Sequence, residues 1–393
     1  MHGGIKFYRG AAKAARAYVE ADHSRADDYY LAEGSGLAQR FVATPDGVTR
    51  MADMDGDEFE SWVAGTDLDT GKPKGRLRQD ANALRYVELT VNGPKTWSLA
   101  AAPHPEVSAA LDAAQDRAAE QIVAFVAEHA TTRVGPRGRQ VQVPVEQIEA
   151  AVIRHYTSRA GDPHRHLHLQ INARVSTRSA TGDPEWRGLH SVGVRDMIDA
   201  INGIGHAAVA TDPEFRTVLA RHGLTLDAMT GEVAQLAPYV GAFSARTGQI
   251  HRNIDRYEAE WRREHPGEEP GPKLHEIWDR RGGGGAPPPK GGAPGGGGGG
   301  GGREAAVLGL GYRDPTGPEE VESTQVGWIN RDGTAEWALS QLSVKRSAWN
   351  VADIRGRVEV LLAEANVVAE PAVRIELAED ITARAVARCT QLL

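Results

Sequence analysis

The sequence predicts an α+β fold: an antiparallel sheet packed against helices, then a glycine-rich linker and a small helical C-terminal segment. Polar and apolar side chains alternate from His166 to Ile171, which is the two-residue period of a half-buried strand. Apolar residues between Pro105 and Ala130 recur every three or four positions, as on one face of a helix. Fourteen glycines among residues 282–302 exclude a packed core there and predict a flexible linker.

The other elements follow from the same two periods and from turn residues, taken in chain order. Strands are predicted at residues 5–8 and 84–92 and on both sides of a tight connection at 161–163, with hairpins at 131–143 and 224–236. Helices are predicted at residues 11–21, 105–130, 192–210, 213–222 and 242–263, and after the linker at 351–365 and 372–392.

Length and charge set limits on the function. A chain of 393 residues suggests two domains, or one large domain with a tail, and a hydrophobic content of 40% is enough for a core. The net charge of −8 gives no overall sign of nucleic-acid binding. Locally, however, residues 131–195 contain ten arginines against five acidic residues. That excess predicts a basic patch suited to an anionic substrate.

Cysteine usage and hydropathy indicate the compartment. The single cysteine, Cys389, excludes an internal disulfide, which fits a reducing cytosol. The N-terminus has no apolar targeting segment, and no run approaches eighteen apolar residues. We therefore expect a soluble cytoplasmic protein.

Four histidines lie within fourteen residues around the tight connection. On a strand, His166 and His168 point to the same face about 6.6 Å apart, and two neutral imidazoles so placed can bind a divalent metal. His164 shares their parity but would lie roughly 13 Å from His168 along a continuous strand, which is poor geometry for one ion. A neighbouring antiparallel strand offers His155 instead. The predicted ligands are His155, His166 and His168, with His164 as the alternative.

The spacing of these residues resembles a known motif. His155, then Asp162-Pro163 and then His166-x-His168 are similar to the third motif of the MobF-type (TrwC/TraI-like) conjugative relaxases, a branch of the HUH endonucleases. The resemblance extends over roughly residues 1–265 and implies the antiparallel HUH palm, with the histidines on its open face. In that family three such histidines bind the metal that polarises a scissile DNA phosphate.

Further stretches carry the same resemblance. Tyr18 aligns with the family's nucleophilic tyrosine and Tyr29 with its second one, beside Tyr30. Residues 86–98 resemble the Asp-Leu-Thr-Phe-Ser-Ala-Pro-Lys-Ser motif, with Glu88 where the family usually has aspartate. The family's acid lies beside the metal and is a candidate acceptor for the phenol proton. The segment Phe243-Ser-x-Arg246 resembles one that helps to cover the DNA.

The resemblance implies a conjugative relaxase that cleaves single-stranded origin-of-transfer DNA and forms a 5′-phosphotyrosine. The implied cofactor is a divalent metal ion such as Mg, Mn, Zn or Ni, and a coupling protein and a separate helicase are expected partners. Predicted DNA contacts are Lys95, Arg137, Arg139 and Arg159. We predict a relaxase domain at residues 1–265, a linker at 266–303 and a helical segment at 304–393 that stops before a helicase, since no phosphate-binding Gly-x-x-x-x-Gly-Lys-Ser/Thr motif occurs.

Three alternatives remain open on the sequence alone. A rolling-circle replication initiator uses the same chemistry, although its tyrosines usually follow the histidine motif, whereas Tyr18 and Tyr29 precede it. A cupin-type metal barrel also uses His-x-His, but it needs a glutamate where this chain has Asn172 and Ala173. A relaxase fragment that binds DNA without cutting it is the third.

Overall fold

The computed structural model describes residues 4–23, 36–78, 80, 82–136, 139–158, 162–179, 181–271, 273–275, 277–278, 309, 312–313 and 315–390, with the backbone alone at 245–247 and 249. The strands are β1 (Ile5–Tyr8), β2 (Gln39–Thr44), β3 (Gly47–Arg50), β4 (Tyr86–Asn92), β5 (Thr131–Val134), β6 (Val141–Pro144), β7 (Ile148–Thr157), β8 (Pro163–Asn172), β9 (Arg174–Arg178) and β10 (Pro184–Gly188). The helices are α1 (Ala12–His23), α2 (Gly56–Ala64), α3 (Lys95–Ala101), α4 (Pro105–His129), α5 (Ser191–Asp196), α6 (Ile198–Ala210), α7 (Pro213–Arg221), α8 (Ala245–Glu264), α9 (Arg331–Lys345), α10 (Val351–Glu364) and α11 (Pro371–Ala387), with 3₁₀ turns at Ala234–Phe243 and Val326–Trp328.

The described strands form one main antiparallel sheet of six, in the order β1-β4-β8-β7-β2-β3. Two short ribbons, β5-β6 and β9-β10, stand beside it. Strands β7 and β8, each ten residues long, are central and pair with each other, so the predicted histidine strands form the middle of the sheet. The predicted α+β class is confirmed.

The two faces of the sheet have different roles because successive side chains alternate between them. On one face, Leu167, Leu169 and Ile171 join a large core with α4 and α6. On the other face, α1 and α2 pack a smaller cluster against Tyr86 and Ile153. The histidines of β8 lie on this second face, so α1 and α2 cover part of it and the polar site occupies another part.

The C-terminal helices α9 to α11 enclose their own apolar cluster, and α10 also packs closely against α6. The contact depends on two glycines. A Cβ on Gly203 would lie 2.5 Å from the carbonyl oxygen of Gly356, and one on Gly356 would overlap the carbonyl oxygen of Asp199. The C-terminal helices therefore pack on α6, which itself lies on the face of the sheet opposite the histidines.

Local differences from the sequence prediction have identifiable causes. The helix expected at 192–210 is two helices, because the Met197 amide bonds the Val194 carbonyl at 3.2 Å and tightens the turn between them. The hairpin expected at 224–236 reduces to a single bridge, Leu226 to Val233, before a 3₁₀ turn. Helix α2 was not predicted, although Asp55 and Glu58 form a reciprocal capping box at its start.

Among the described helices, none combines the length and the apolar character needed to cross a membrane.

Candidate metal centre

Three histidines converge at one end of the two central strands. His155 of β7 and His166 of β8 are direct register partners, and His168 follows two residues later on the same face. Their donor nitrogens all lie within 4.8 Å of one another, the one such cluster in the described part of the chain. Donors around a tetrahedral ion with bonds of 2.0–2.1 Å lie about 3.3 Å apart. Small side-chain rotations would therefore let all three bind one ion.

In two of these rings Nδ1 faces an oxygen atom, through a hydrogen bond in His166 and at ion-pair distance in His168. Nδ1 of His166 lies 2.9 Å from the carbonyl oxygen of His164. Nδ1 of His168 lies 3.3 Å from Oε1 of Glu88, close enough for an ion pair but without hydrogen-bond geometry among the described residues. A neutral imidazole whose Nδ1 faces an oxygen acceptor carries its proton there, which leaves the Nε2 lone pair for a metal. The donor set and its outer partners thus fit a divalent cation.

The protonation state of His166 also suits a ligand. Burial lowers the pKa of this imidazole well below its usual value, and the nearby His168, His155 and His164 lower it further. The ring is therefore neutral at pH 7, and neutral imidazole is the form that coordinates metals.

His164 lies next to the cluster but outside it. Its ring centroid is 5.1 Å from that of His166. Its buried Nδ1 has no hydrogen-bond partner among the described residues. Burial lowers the pKa of His164 to about 4, with a further contribution from the Lys95 ammonium. The structure groups the three predicted ligands and places the alternative one beside them.

Glu88 of β4 lies under the histidines, 7% exposed. Burial by itself raises the pKa of this carboxyl, but contacts with His168 and Gln170 outweigh that effect and lower it. Nε2 of Gln170 donates to Oε2 of Glu88 at 3.0 Å. These contacts make Glu88 an anionic partner that orients His168, and acceptance of the phenol proton stays a prediction. Gln170 was not among the predicted site residues, although it shares the parity of the histidines.

Tyr18 lies on α1, which covers the same face of the sheet, and 41% of this residue is exposed. The buried Tyr86 lies near both Tyr18 and the carboxylate of Glu88, since both affect its phenol. Burial raises the pKa of Tyr86, and the charges of Glu88, Tyr8 and Tyr18 raise it further, so all three groups are near the Tyr86 phenol. Tyr86 also stacks on Tyr8 with ring centroids 4.7 Å apart. The prediction missed Tyr86, which shares the parity of Glu88 on β4.

Lys95, a predicted phosphate contact, is occupied within the protein. Its ammonium lies 3.8 Å from Oδ2 of Asp162 and donates a hydrogen bond to the carbonyl of Phe243. Burial lowers the pKa of Lys95, and Asp162 opposes that shift. Lys95 therefore ties the start of the histidine strand to the segment before α8. A phosphate would have to displace these contacts.

The remaining predicted residues are divided between a surface position and segments that the structure does not describe. Arg139 is exposed beside the turn of the β5-β6 ribbon. Tyr29, Tyr30, Arg137 and Arg159 lie outside the described residues, as does the side chain of Arg246.

Comparison with known proteins gives consistent results. A family model described as TrwC relaxase matches residues 12–281. A structure of the conjugative relaxase TrwC with oriT DNA and bound metal is 20% identical, with a TM-score of 0.54 over 79% of this chain and 99% of that one. A copper-bound TrwC–oriT structure is also 20% identical, with a TM-score of 0.54 over 78% and 97%. At this identity the two structures show a shared fold. No curated protein sequence gives a match.

Proposed function

The chain belongs to the TrwC relaxase family, whose model covers residues 12–281 of its 393, and on that premise we propose that it cleaves one strand of DNA at an origin of transfer. Family membership confirms the resemblance seen in the sequence and favours a relaxase over a replication initiator or a cupin. The substrate that we infer is single-stranded oriT DNA, since the TrwC structures that share this fold contain oriT DNA.

The observation that supports this proposal most strongly is the convergence of His155, His166 and His168 within 4.8 Å. A divalent ion bound there would withdraw charge from the non-bridging oxygens of the scissile phosphate. Mg, Mn, Zn and Ni all remain candidates, because imidazole suits the transition metals and a phosphate adds oxygen ligands. In this proposal His155, His166 and His168 would bind the ion, and Glu88 would orient the ring of His168.

The chemical step that we propose is a transesterification by Tyr18. Its phenolic oxygen bonds to phosphorus, and the bond from phosphorus to the 3′ oxygen breaks. The released 3′ oxygen takes a proton and leaves on the fragment upstream of the cut, while the new 5′ phosphate of the downstream fragment stays attached to the tyrosine. The phenol proton passes to a base, for which Glu88 is the candidate. Assistance is needed because an ordinary tyrosine, with a pKa near 10, is a weak nucleophile at pH 7.

Tyr29 is proposed to act after Tyr18. Once Tyr18 carries the 5′ end, a second tyrosine can make a second cut and end transfer without releasing the first end. We also propose that the activity takes place in the cytoplasm, where the DNA is, with a coupling protein and a helicase supplied by other chains. The proposed domain limits are 1–265, 266–303 and 304–393.

A cleavage assay tests the proposal. The protein is incubated with labelled single-stranded origin oligonucleotide and with Mg, Mn, Zn or Ni, and covalent adducts are separated on a denaturing gel. We expect a metal-dependent adduct that EDTA suppresses. Tight binding with no adduct under any metal would instead identify a DNA-binding fragment that does not cut.

A further inference from the structure

A cavity lies at the opposite end of β8 from the histidines, with a volume of about 170 Å³. It is lined on several sides by arginines: Arg9, Arg76, Arg78, Arg85 and Arg174. Its other lining residues are mostly small or apolar, and none of them is acidic. We call this cavity with its five arginines the arginine pocket.

The arginines of this pocket are mostly uncompensated. Arg78 pairs with Asp80 at 2.7 Å, but no ion pair joins the other four to a carboxylate of any described residue. Arg9 and Arg76 are exposed, but Arg85 and Arg174 are half-buried, and other half-buried arginines of this chain do find carboxylates, as Arg154 does with Asp112 at 2.9 Å. Gathering like charges without a partner costs free energy, which a bound anion would offset.

Arg174 is held rigidly at the pocket wall. Its Nε donates to the carbonyl of Lys74 at 2.8 Å, and its Nη2 donates to the carbonyl of Trp186 at 2.9 Å. Gly75 has φ +69, and a Cβ there would come within 2.9 Å of Arg174 Nη2, so this close approach requires glycine. Lys74 is itself buried and lies 2.7 Å from Glu149. The guanidinium is therefore pre-positioned by an anchored loop.

Arg85 supplies an unmatched donor in the same wall. Its backbone is fixed between neighbouring strands, since its amide bonds Tyr8 and its carbonyl accepts from Ala173, both at 2.9 Å. Its buried Nε has no hydrogen-bond partner among the described residues. A buried donor without a partner costs about 1–3 kcal/mol. An acceptor bound in the pocket would satisfy it.

The pocket is well separated from the metal centre. From His168 to Asn172, both on β8, the strand advances four residues, or roughly 13 Å at the rise of a strand. That distance corresponds to about four nucleotide steps along a stacked single strand. The scissile phosphate cannot reach both sites at once.

We propose that the arginine pocket binds one backbone phosphate of the substrate DNA, several nucleotides from the cleaved bond. The inference rests on the proposed function for its ligand class. The recognised group is a phosphodiester anion, which guanidinium groups bind through paired, charge-assisted hydrogen bonds. The pocket would fix the register of the strand and carry no base specificity.

The test measures affinity without cutting. Binding of a fluorescent origin oligonucleotide is followed by anisotropy in EDTA for Arg85→Gln, for Arg76→Gln and for the control Arg388→Gln. Arg76 is exposed on the loop and Arg388 pairs with Asp332 on the C-terminal helices. We expect each pocket variant to lose about tenfold in affinity and the control to stay within twofold. Thermal denaturation shows whether Arg85→Gln is folded. If it is not, Arg76→Gln still tests the pocket.

A scan of neutral methylphosphonate linkages then identifies the phosphate. In the unmutated protein, neutralising the bound phosphate weakens binding, whereas in Arg85→Gln the same substitution costs nothing further. Additive losses at every linkage, or pocket variants that bind like the control, would overturn the proposal. So would inorganic phosphate that occupies the pocket without competing with DNA, since the site would then serve free anions. A protein that binds through the pocket but never cuts would refute only the proposed function.

Discussion

The two ends of strand β8 carry different chemistry. At one end, three imidazoles lie together and one of them faces Glu88, a set suited to a metal ion. At the other end, Arg85 and Arg174 border a cavity without acidic residues, a set suited to phosphate. Two unit charges repel by about 4 kcal/mol at 4 Å but only about 1 kcal/mol at 16 Å, for an effective dielectric constant of 20. Separation along one strand therefore lets cations hold the DNA without weakening the metal site.

The largest effect should come from the nucleophile at the histidine end. Tyr18→Phe is expected to eliminate the covalent adduct, because the ring and its packing remain while the attacking oxygen is removed. Tyr29→Phe serves as the matched control and should leave the first cleavage largely intact. Mass spectrometry of the peptide–oligonucleotide adduct identifies the attached tyrosine. DNA found on Tyr29 or Tyr30, with Tyr18 free in the unmutated protein, would reverse the assignment.

Removing a metal ligand should show most clearly that one end of β8 serves cutting and the other serves DNA binding. His166→Ala is expected to lower cutting by about a hundredfold or more, since truncating a ligand leaves two imidazoles for the ion. DNA affinity should stay within about tenfold, because phosphate contacts are spread over many residues. Metal content by elemental analysis and nicking rate are measured on the same sample. Normal cutting would show that the ligand assignment is wrong.

The convergence of the three histidines could be predicted because it depends on short-range pattern. His166 and His168 share a face by the alternation of one strand, and His155 follows from the antiparallel partner across a short turn. Glu88 and Tyr18 came from resemblance to family motifs and not from periodicity. Gln170 and Tyr86 were missed, although each shares the parity of a predicted residue on its own strand. A glutamine and a tyrosine within a strand do not by themselves indicate a functional site.

The arginine pocket could not be predicted because charge counting does not show pairing. Of the eight arginines at residues 131–195 that the structure describes, five are bound to carboxylates: Arg154, Arg165, Arg178, Arg187 and Arg195. The pocket instead combines arginines from residues 9, 76, 78, 85 and 174, which only the folded sheet brings together. Long-range assembly of this kind leaves no local spacing to recognise.

Salt should weaken DNA binding strongly despite the net charge of −8. Neutralising three to five phosphates gives a slope of about −2 to −3.5 in a plot of log affinity against log salt, from roughly −0.7 per phosphate. Between 50 and 200 mM salt that predicts a loss of about 15- to 130-fold. Anisotropy titrations in EDTA measure the slope, and a flat line would remove the case for a basic DNA-binding surface.

A paired arginine should affect stability and not affinity. Arg165, which is 5% exposed, binds Asp112 at 2.6 Å and Ser108 at 2.6 Å. Arg165→Gln is expected to cost about 1–3 kcal/mol in the free energy of unfolding, the weight of its charged hydrogen bonds. DNA affinity should stay within twofold. Urea unfolding and anisotropy on the same preparation decide between the effects, and a large affinity loss with unchanged stability would restore residues 131–195 as the DNA-binding face.

The smallest effect should come from His164. Alanine at this position keeps the backbone carbonyl that holds Nδ1 of His166 at 2.9 Å, so the orienting bond survives. It removes a buried imidazole whose Nδ1 has no partner among the described residues, which limits the loss of stability. We expect metal content to be unchanged and cutting to fall by no more than about threefold. The control is His155→Ala, which should lose both. If His164→Ala lost metal and cutting while His155→Ala kept them, His164 would be the third ligand and His155 the neighbour.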